Sequence, residues 1–117
     1  MQVTIAGGDI NFLIAAGETV AEAVTIAAGG VLVNLTGYSL KMQINFPSPL
    51  LLDTGNSGIT TTNATQGAAQ INISSATTET FGASSGLYDF WMISGSGVAT
   101  RLFGGLFSVN SSITPIP

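Results

Sequence analysis

Few residues in this chain could do chemistry. Its 117 residues include six acids (Asp9, Glu18, Glu22, Asp53, Glu79 and Asp89), two bases (Lys41 and Arg101), and no histidine or cysteine. Without histidine the commonest general base, the usual metal ligand and the near-neutral switch are missing. Without cysteine there is no thiol nucleophile, and no zinc site of the usual kind can be built. A carboxylate pair remains conceivable, Asp9 with Glu18 or Asp53 with Asp89. A glycosidase needs its two carboxyls about 5–9 Å apart in a cleft, and nothing in the sequence places either pair so. The stretch Asp53-Thr54-Gly55-Asn56-Ser57-Gly58 is rich in oxygen, like a calcium loop. Gly55 stands where a donor is required and no Glu closes the loop, so it reads as a turn. The expectation is a protein without catalysis, metal or cofactor.

Lys41 falls on the polar side of an alternating strand, where a charge discourages edge-to-edge pairing. It could also pair with Asp89 or reach a neighbouring subunit. Arg101 has the same choices, with Asp89 or Glu79 as the internal partner. Tyr88, Phe90, Trp91, Phe103 and Phe107 crowd the last part of the chain. Aromatic residues on adjacent strands read first as core; the alternative is a sugar-stacking platform with Tyr88, Phe90 and Trp91 as its contacts. The four Asn-x-Ser/Thr sites, at Asn34, Asn63, Asn72 and Asn110, read as composition in a chain rich in Ser and Thr.

Only 7 % of residues are charged and the net charge is −4. Binding phosphates takes several Lys or Arg, so nucleic acid is excluded as a partner. Two explanations compete for a surface so poor in charge. Ser, Thr, Asn and Gln could do all the solvation, or much of the surface could lie against other subunits, because interface cores are depleted in charge. The opening residues, MQVTIAGGDINF, lack the basic-then-apolar pattern of a secretory signal. No apolar run reaches the ~20 residues that cross a bilayer as a helix, so no membrane partner is expected.

The elements that must position these residues are strands. Residues 38–46 alternate Tyr38, Leu40, Met42, Ile44 and Phe46 with Ser39, Lys41, Gln43 and Asn45. Period two is the signature of a half-buried strand. Residues 68–74 repeat it, with Ala69, Ile71 and Ile73 against Gln70, Asn72 and Ser74. Glycine and turn signals recur about every ten residues, which predicts an all-β sandwich or barrel. The predicted strands are 2–5, 10–14, 19–27, 31–34, 38–46, 50–53, 59–62, 68–74, 87–94 and 98–110. Residues 20–28 hold several alanines, but Val20, Val24, Thr25 and Ile26 are β-branched and Gly29-Gly30 follows, which favours strand over helix. One short helical turn is predicted near 75–81. Gly95-Ser96-Gly97 joins the last two strands as a hairpin, and Gly104-Gly105 marks a bulge or a close backbone approach. No linker or internal repeat divides residues 1–117, so one domain is expected. Residues 1–16 form an arm or an added strand, and 110–117 an extended tail.

Several stretches together resemble a family of phage virion modules. They are VNLTGYSLKMQINF (33–46), GIT (58–60), AAQINIS (68–74), ATTETF (76–81), GLYDFWMI (86–93) and TRLFGGLFSV (100–109). Their order and spacing are similar to those of the N-terminal domain of phage baseplate upper proteins and its relatives in tail fibres and small virion proteins. The resemblance implies an immunoglobulin-like antiparallel β-sandwich that attaches to other virion proteins. It implies a virion location, with assembly in the host cytoplasm.

A capsid decoration (cement) protein on the assembled head is the first expectation, because the family-like module stands alone in this chain. A tail, baseplate or tail-fibre attachment module is the alternative, and a host- or glycan-binding adhesin domain a third reading. The expected partners are further copies of the chain, as a trimer, and the major capsid protein or tail and baseplate proteins. Lys41, Arg101, Ile10, Phe12 and Ile14 are the candidate subunit contacts.

Overall fold

The computed structural model describes residues 2–4 and 9–111; for residues 2–4 it describes the backbone. Among these residues ten strands form two stacked sheets: β1 (Gln2–Thr4), β2 (Phe12–Ala15), β3 (Val20–Ala28), β4 (Val31–Leu32), β5 (Ser39–Ile44), β6 (Leu50–Asp53), β7 (Ile59–Asn63), β8 (Ala68–Ile73), β9 (Ser84–Ile93) and β10 (Ala99–Asn110). One sheet runs β1-β3-β8-β7, with β4 also paired to β3; the other runs β2-β10-β9-β5-β6. We refer to them as the first and second sheet. Strands β3, β8 and β7 of the one sheet facing β10, β9, β5 and β6 of the other make the immunoglobulin-like arrangement. No helix among the described residues is long and apolar enough to cross a membrane.

Alternation decides which side of each strand is covered. Leu40, Met42, Ile44 and Phe46 point inward from β5 and its end, and Ala69, Ile71 and Ile73 from β8. Val24, Ile26, Leu52, Ile59, Phe90, Leu102, Phe103, Phe107 and Val109 complete the buried layer. Phe90 stacks on Phe103 at 5.0 Å with planes 13° apart. Phe107 takes edge contacts from Phe46 and Tyr88. Burying a large apolar side chain contributes about 1.5–3 kcal/mol, so this aromatic group dominates the centre.

The antiparallel pattern covers six strand pairings, and two are parallel. β1 runs parallel to β3, and β2 parallel to β10. The N-terminal segment thus adds one short strand to each sheet of its own sandwich. Ile10 donates its N–H to Gly104 O at 2.9 Å just before β2, and Ala16 donates to Asn110 O at 2.8 Å just after it. A cap of helix, α1 (Ser75–Glu79), closes one end. Ser74 caps it by accepting the Thr77 N–H. Thr78, fully buried, ties α1 to the turn before β3: its hydroxyl donates to Glu18 O at 2.7 Å and accepts from Gly17 N–H at 3.1 Å. Every buried side-chain polar atom among the described residues has a partner, as native packing requires.

The bulge lies earlier than the glycines. The β9–β10 register shifts between Arg101 and Phe103, which buries the consecutive Leu102 and Phe103. Gly104 and Gly105 mark close approaches instead: a Cβ on Gly104 would sit 2.7 Å from Tyr88 O, and one on Gly105 2.9 Å from Asn11 Oδ1. The tail expected over 110–117 falls outside the described residues from 112 onward.

Candidate interaction face

The outer side of the second sheet gathers residues far apart in the chain. Outward positions on β9 are Leu87, Asp89, Trp91 and Ile93, because Tyr88, Phe90 and Met92 face the core. The register then builds rows across the sheet. Asp53 on β6 is opposite Lys41 on β5, Lys41 opposite Trp91, and Trp91 opposite Arg101 on β10. In the next row Leu51 is opposite Gln43, and Gln43 opposite Asp89. Further along, Leu87 is opposite Leu106. Leu13 on β2 is opposite Ser108. Directly opposed side chains lie about 4.5–5.5 Å apart at Cβ, so each row is a run of contacting neighbours.

Both cations of the chain and its one tryptophan therefore share a single row, with Asp53 at its end. Arg101 is exposed, and its guanidinium lies over Gly104, which is buried although it faces outward. A side chain there would displace it. Arg101 then shares a hollow of about 500 Å³ with Asp9, Asp89, Gln43, Asn45 and Leu87. A second hollow of about 380 Å³ lies across the Gln43–Asp89 row, lined by Lys41, Leu51 and Trp91. Tyr88 closes the first hollow from below. Its hydroxyl donates to Ile10 O. Burial, and then the negative charge of Asp9, push its ionisation well above the usual phenol range, while Arg101 acts the other way.

Among the described residues, four of the seven exposed large apolar side chains lie on this one face: Leu13 (68 % exposed), Leu51 (45 %), Leu87 (67 %) and Leu106 (40 %). The outer side of the first sheet is built differently. Its outward residues on β3, β8 and β7 include Ala21, Ala23, Thr25, Ala68, Gln70, Asn72 and Thr60, and β4 exposes Val31 and Leu32. Gln70 donates to Asn72 Oδ1 at 2.7 Å, and Asn72 donates to Thr60 Oγ1 at 2.9 Å.

The residues singled out from the sequence divide accordingly. Lys41, Arg101 and Trp91 come together on the outer row. Ile14 is buried, and Ile10 and Phe12 are half-buried against the core, with Phe12 packed on Tyr88 and Phe107. They therefore support the fold, with Ile10 and Phe12 left partly exposed. Tyr88 (4 % exposed) and Phe90 (0 %) also face inward, so the three-ring sugar platform does not exist; Trp91 alone reaches the surface. Asp9 and Glu18 flank β2 at opposite ends, and Glu79 sits on α1, away from Arg101. The Asp53 loop spends its oxygens internally: Asp53 Oδ1 accepts from Asn56 N–H at 2.7 Å, and Asn56 Oδ1 from the N–H groups of Asp53 and Gly58 at 2.9 and 2.8 Å. The exposed leucines were missed from the sequence. Their signal was there in β9, where Asp89 marks the outward parity that Leu87 and Trp91 share.

No protein-family model matches the chain, and no curated protein matches it significantly in sequence. Among solved structures, it is similar to the N-terminal domain of phage TP901-1 ORF48. The TM-score is 0.61 at 11 % identity, over 93 % of this chain and 94 % of that one. The all-β sandwich is thus one that a phage-protein domain also adopts. Head decoration in particular gains no support from this likeness.

Proposed function

We propose that the protein is a non-enzymatic structural component of a phage virion, an attachment module of the tail or baseplate kind. One observation carries the reading: the fold coincides almost end to end with a phage-protein domain. The sequence resemblance to baseplate upper protein modules agrees with it. A sandwich whose second sheet shows leucines, a tryptophan and interleaved charges to solvent suits a part that is held by neighbours. On this reading the neighbours meet the outer side of the second sheet.

The test is mass spectrometry of purified particles of the encoding phage, separated into heads and tails. The expected result is peptides of this chain in the tail fraction, at a few to a few tens of copies per particle. Absence from particles would refute the virion role. Hundreds of copies in the head fraction would refute the tail placement.

A further inference from the structure

We propose that the hollow between β2 and the start of β3 is a socket for a lysine or arginine side chain, carried on an extended segment of a neighbouring virion protein. The inference rests on the reading above only in taking that neighbour to come from the virion. It adds a contact on the edge of the sandwich, apart from the outer side of the second sheet.

The start of β3 puts a charge where its own alternation calls for an apolar side chain. Val20, Glu22, Val24 and Ile26 share one parity, and Val24 and Ile26 are buried. Glu22 is thus on the core side of the strand. Its cross-strand neighbour is the buried Ile71. Half-buried itself, Glu22 lines a hollow of about 290 Å³ together with Glu18. The remaining walls are mostly apolar, from Phe12, Ile14, Val20, Ile71 and Phe107. No cation lines the hollow; Lys41 and Arg101 stand on the outer side of the second sheet. A carboxylate turned from water, with a second one beside it, costs free energy until a cation reaches it.

The chemistry of the lining selects the occupant. A bare calcium or magnesium ion takes about six or more oxygens, and most of these walls are carbon. A lysine or arginine suits both parts, because its stem lies along apolar surface while its head keeps the charge. Phe12 and Ile14 would take the stem, and Glu18 and Glu22 the head. The net charge of −4 favours encounter with a basic segment.

The backbone leaves room for the segment that carries this side chain. On one side of β3, β8 pairs with it from Val20 to Thr25. On the other side β1 pairs only with Thr25 to Ala27. Among the described residues, no strand lies beside Val20, Ala21 and Glu22 on that side. A strand entering there pairs its main chain with the sheet and turns alternate side chains to the core side, which is where Glu22 points. An inward charge at an edge also discourages wrong pairing; a socket goes further and discriminates between incoming side chains.

Nuclear magnetic resonance on the isotope-labelled whole chain, at low salt, is the test. The probe is a capped pentapeptide, Ser-Val-Lys-Val-Ser; two controls carry norleucine or glutamate in place of the lysine. The expected outcome is amide shifts concentrated at residues 12–14 and 18–22, saturating at roughly millimolar peptide. The norleucine peptide should bind at least tenfold more weakly, and the glutamate peptide should give no shifts there. Glu22→Gln should weaken the lysine peptide at least tenfold, and Glu18→Gln in the same direction. Glu79→Gln, which removes an equal charge from an exposed position on α1, should leave its affinity unchanged. Circular dichroism confirms that each variant folds. Shifts absent up to about 10 mM overturn the inference, as do equal affinities for the lysine and norleucine peptides, or an affinity that neither Glu22→Gln nor Glu18→Gln lowers. None of these outcomes touches the particle assay, so the two readings fail separately.

Discussion

The two outer faces of the sandwich solve the same problem with different chemistry. Each is the uncovered side of a sheet whose other side packs into one core. On β3, β8 and β7 of the first sheet the outward residues are small or neutral, and side-chain amides bond to one another and to Thr60; its large exposed apolar side chains are confined to the short β4, at Val31 and Leu32. On the second they are leucines, a tryptophan and four charges. The sparse charge of this chain admitted two explanations, solvation by neutral polar groups or burial against neighbours. The first describes the outside of the first sheet. It does not describe the second, where large apolar side chains stand in water in the isolated chain. A low charge count is therefore not one property of this surface but two.

Substitutions can break or sharpen that contrast. The largest effect belongs to what the faces share. Phe90→Ala removes a fully buried ring stacked on Phe103. It should cost about 3–5 kcal/mol in urea unfolding, with both sheets lost in one transition; separate transitions would show that the faces do not stand on one core. Thr78→Val comes next. It leaves the Gly17 N–H and the helix tether without their hydroxyl, at about 1–3 kcal/mol by the same measurement.

Alkaline pH probes the pocket beneath the second face. Tyr88 ionises in the folded chain only well above its ordinary 10.0. Its contribution is therefore fully present below pH 10, and should be lost progressively as pH rises toward the folded value. The urea midpoint should fall as pH rises above about 10, and fall less in Tyr88→Phe. An equal fall in both proteins would refute the role of this phenol.

The smallest effects separate the faces themselves. Asn72→Ala, on the first sheet, breaks a bonded network and should cost about 1 kcal/mol. Leu87→Ser, on the second, removes a side chain that touches mainly water and should change monomer stability by no more than about 0.5 kcal/mol. If chemical denaturation ranks them the other way, the second face is packed within the monomer and the contrast collapses.

Much of the fold was legible because one buried side forces period two. Residues 38–46 and 68–74 alternate cleanly and became β5 and β8 within two residues at each end. Glycine-rich turns located most of the others. β9 was harder to read. Both of its sides are apolar, so alternation alone could not separate Tyr88 and Phe90, which are buried, from Trp91, which is not. Its start was also missed, since Ser84-Ser85-Gly86 lacks apolar residues yet pairs with β10. Gly86 is needed there, because a Cβ would lie 2.7 Å from the carbonyl carbon of Asn45. The outer face of the second sheet was illegible for a different reason. It depends on cross-strand register between Lys41, Asp53, Trp91 and Arg101, which no local pattern encodes. The N-terminal segment showed its apolar stretches, but not which strands they would join, nor that β2 would run parallel to β10.

That parallel pairing has a mechanical consequence. β2 begins opposite Phe107 and ends opposite Asn110, where β10 finishes. A tensile load between Phe12 and Asn110 pulls the two strands past each other along their length. Their inter-strand hydrogen bonds, from Phe12↔Phe107 to Ala15↔Asn110, are then strained together in shear. An antiparallel hairpin pulled from its open end yields one bond at a time. Ile10, held by Gly104 N-terminal to β2 and by the Tyr88 hydroxyl, is a further fastening at the loaded end. Stretched this way, the domain should resist as a clamp and release abruptly, and single-molecule pulling between those two positions would show one sharp rupture where an unzipping edge would give a low plateau.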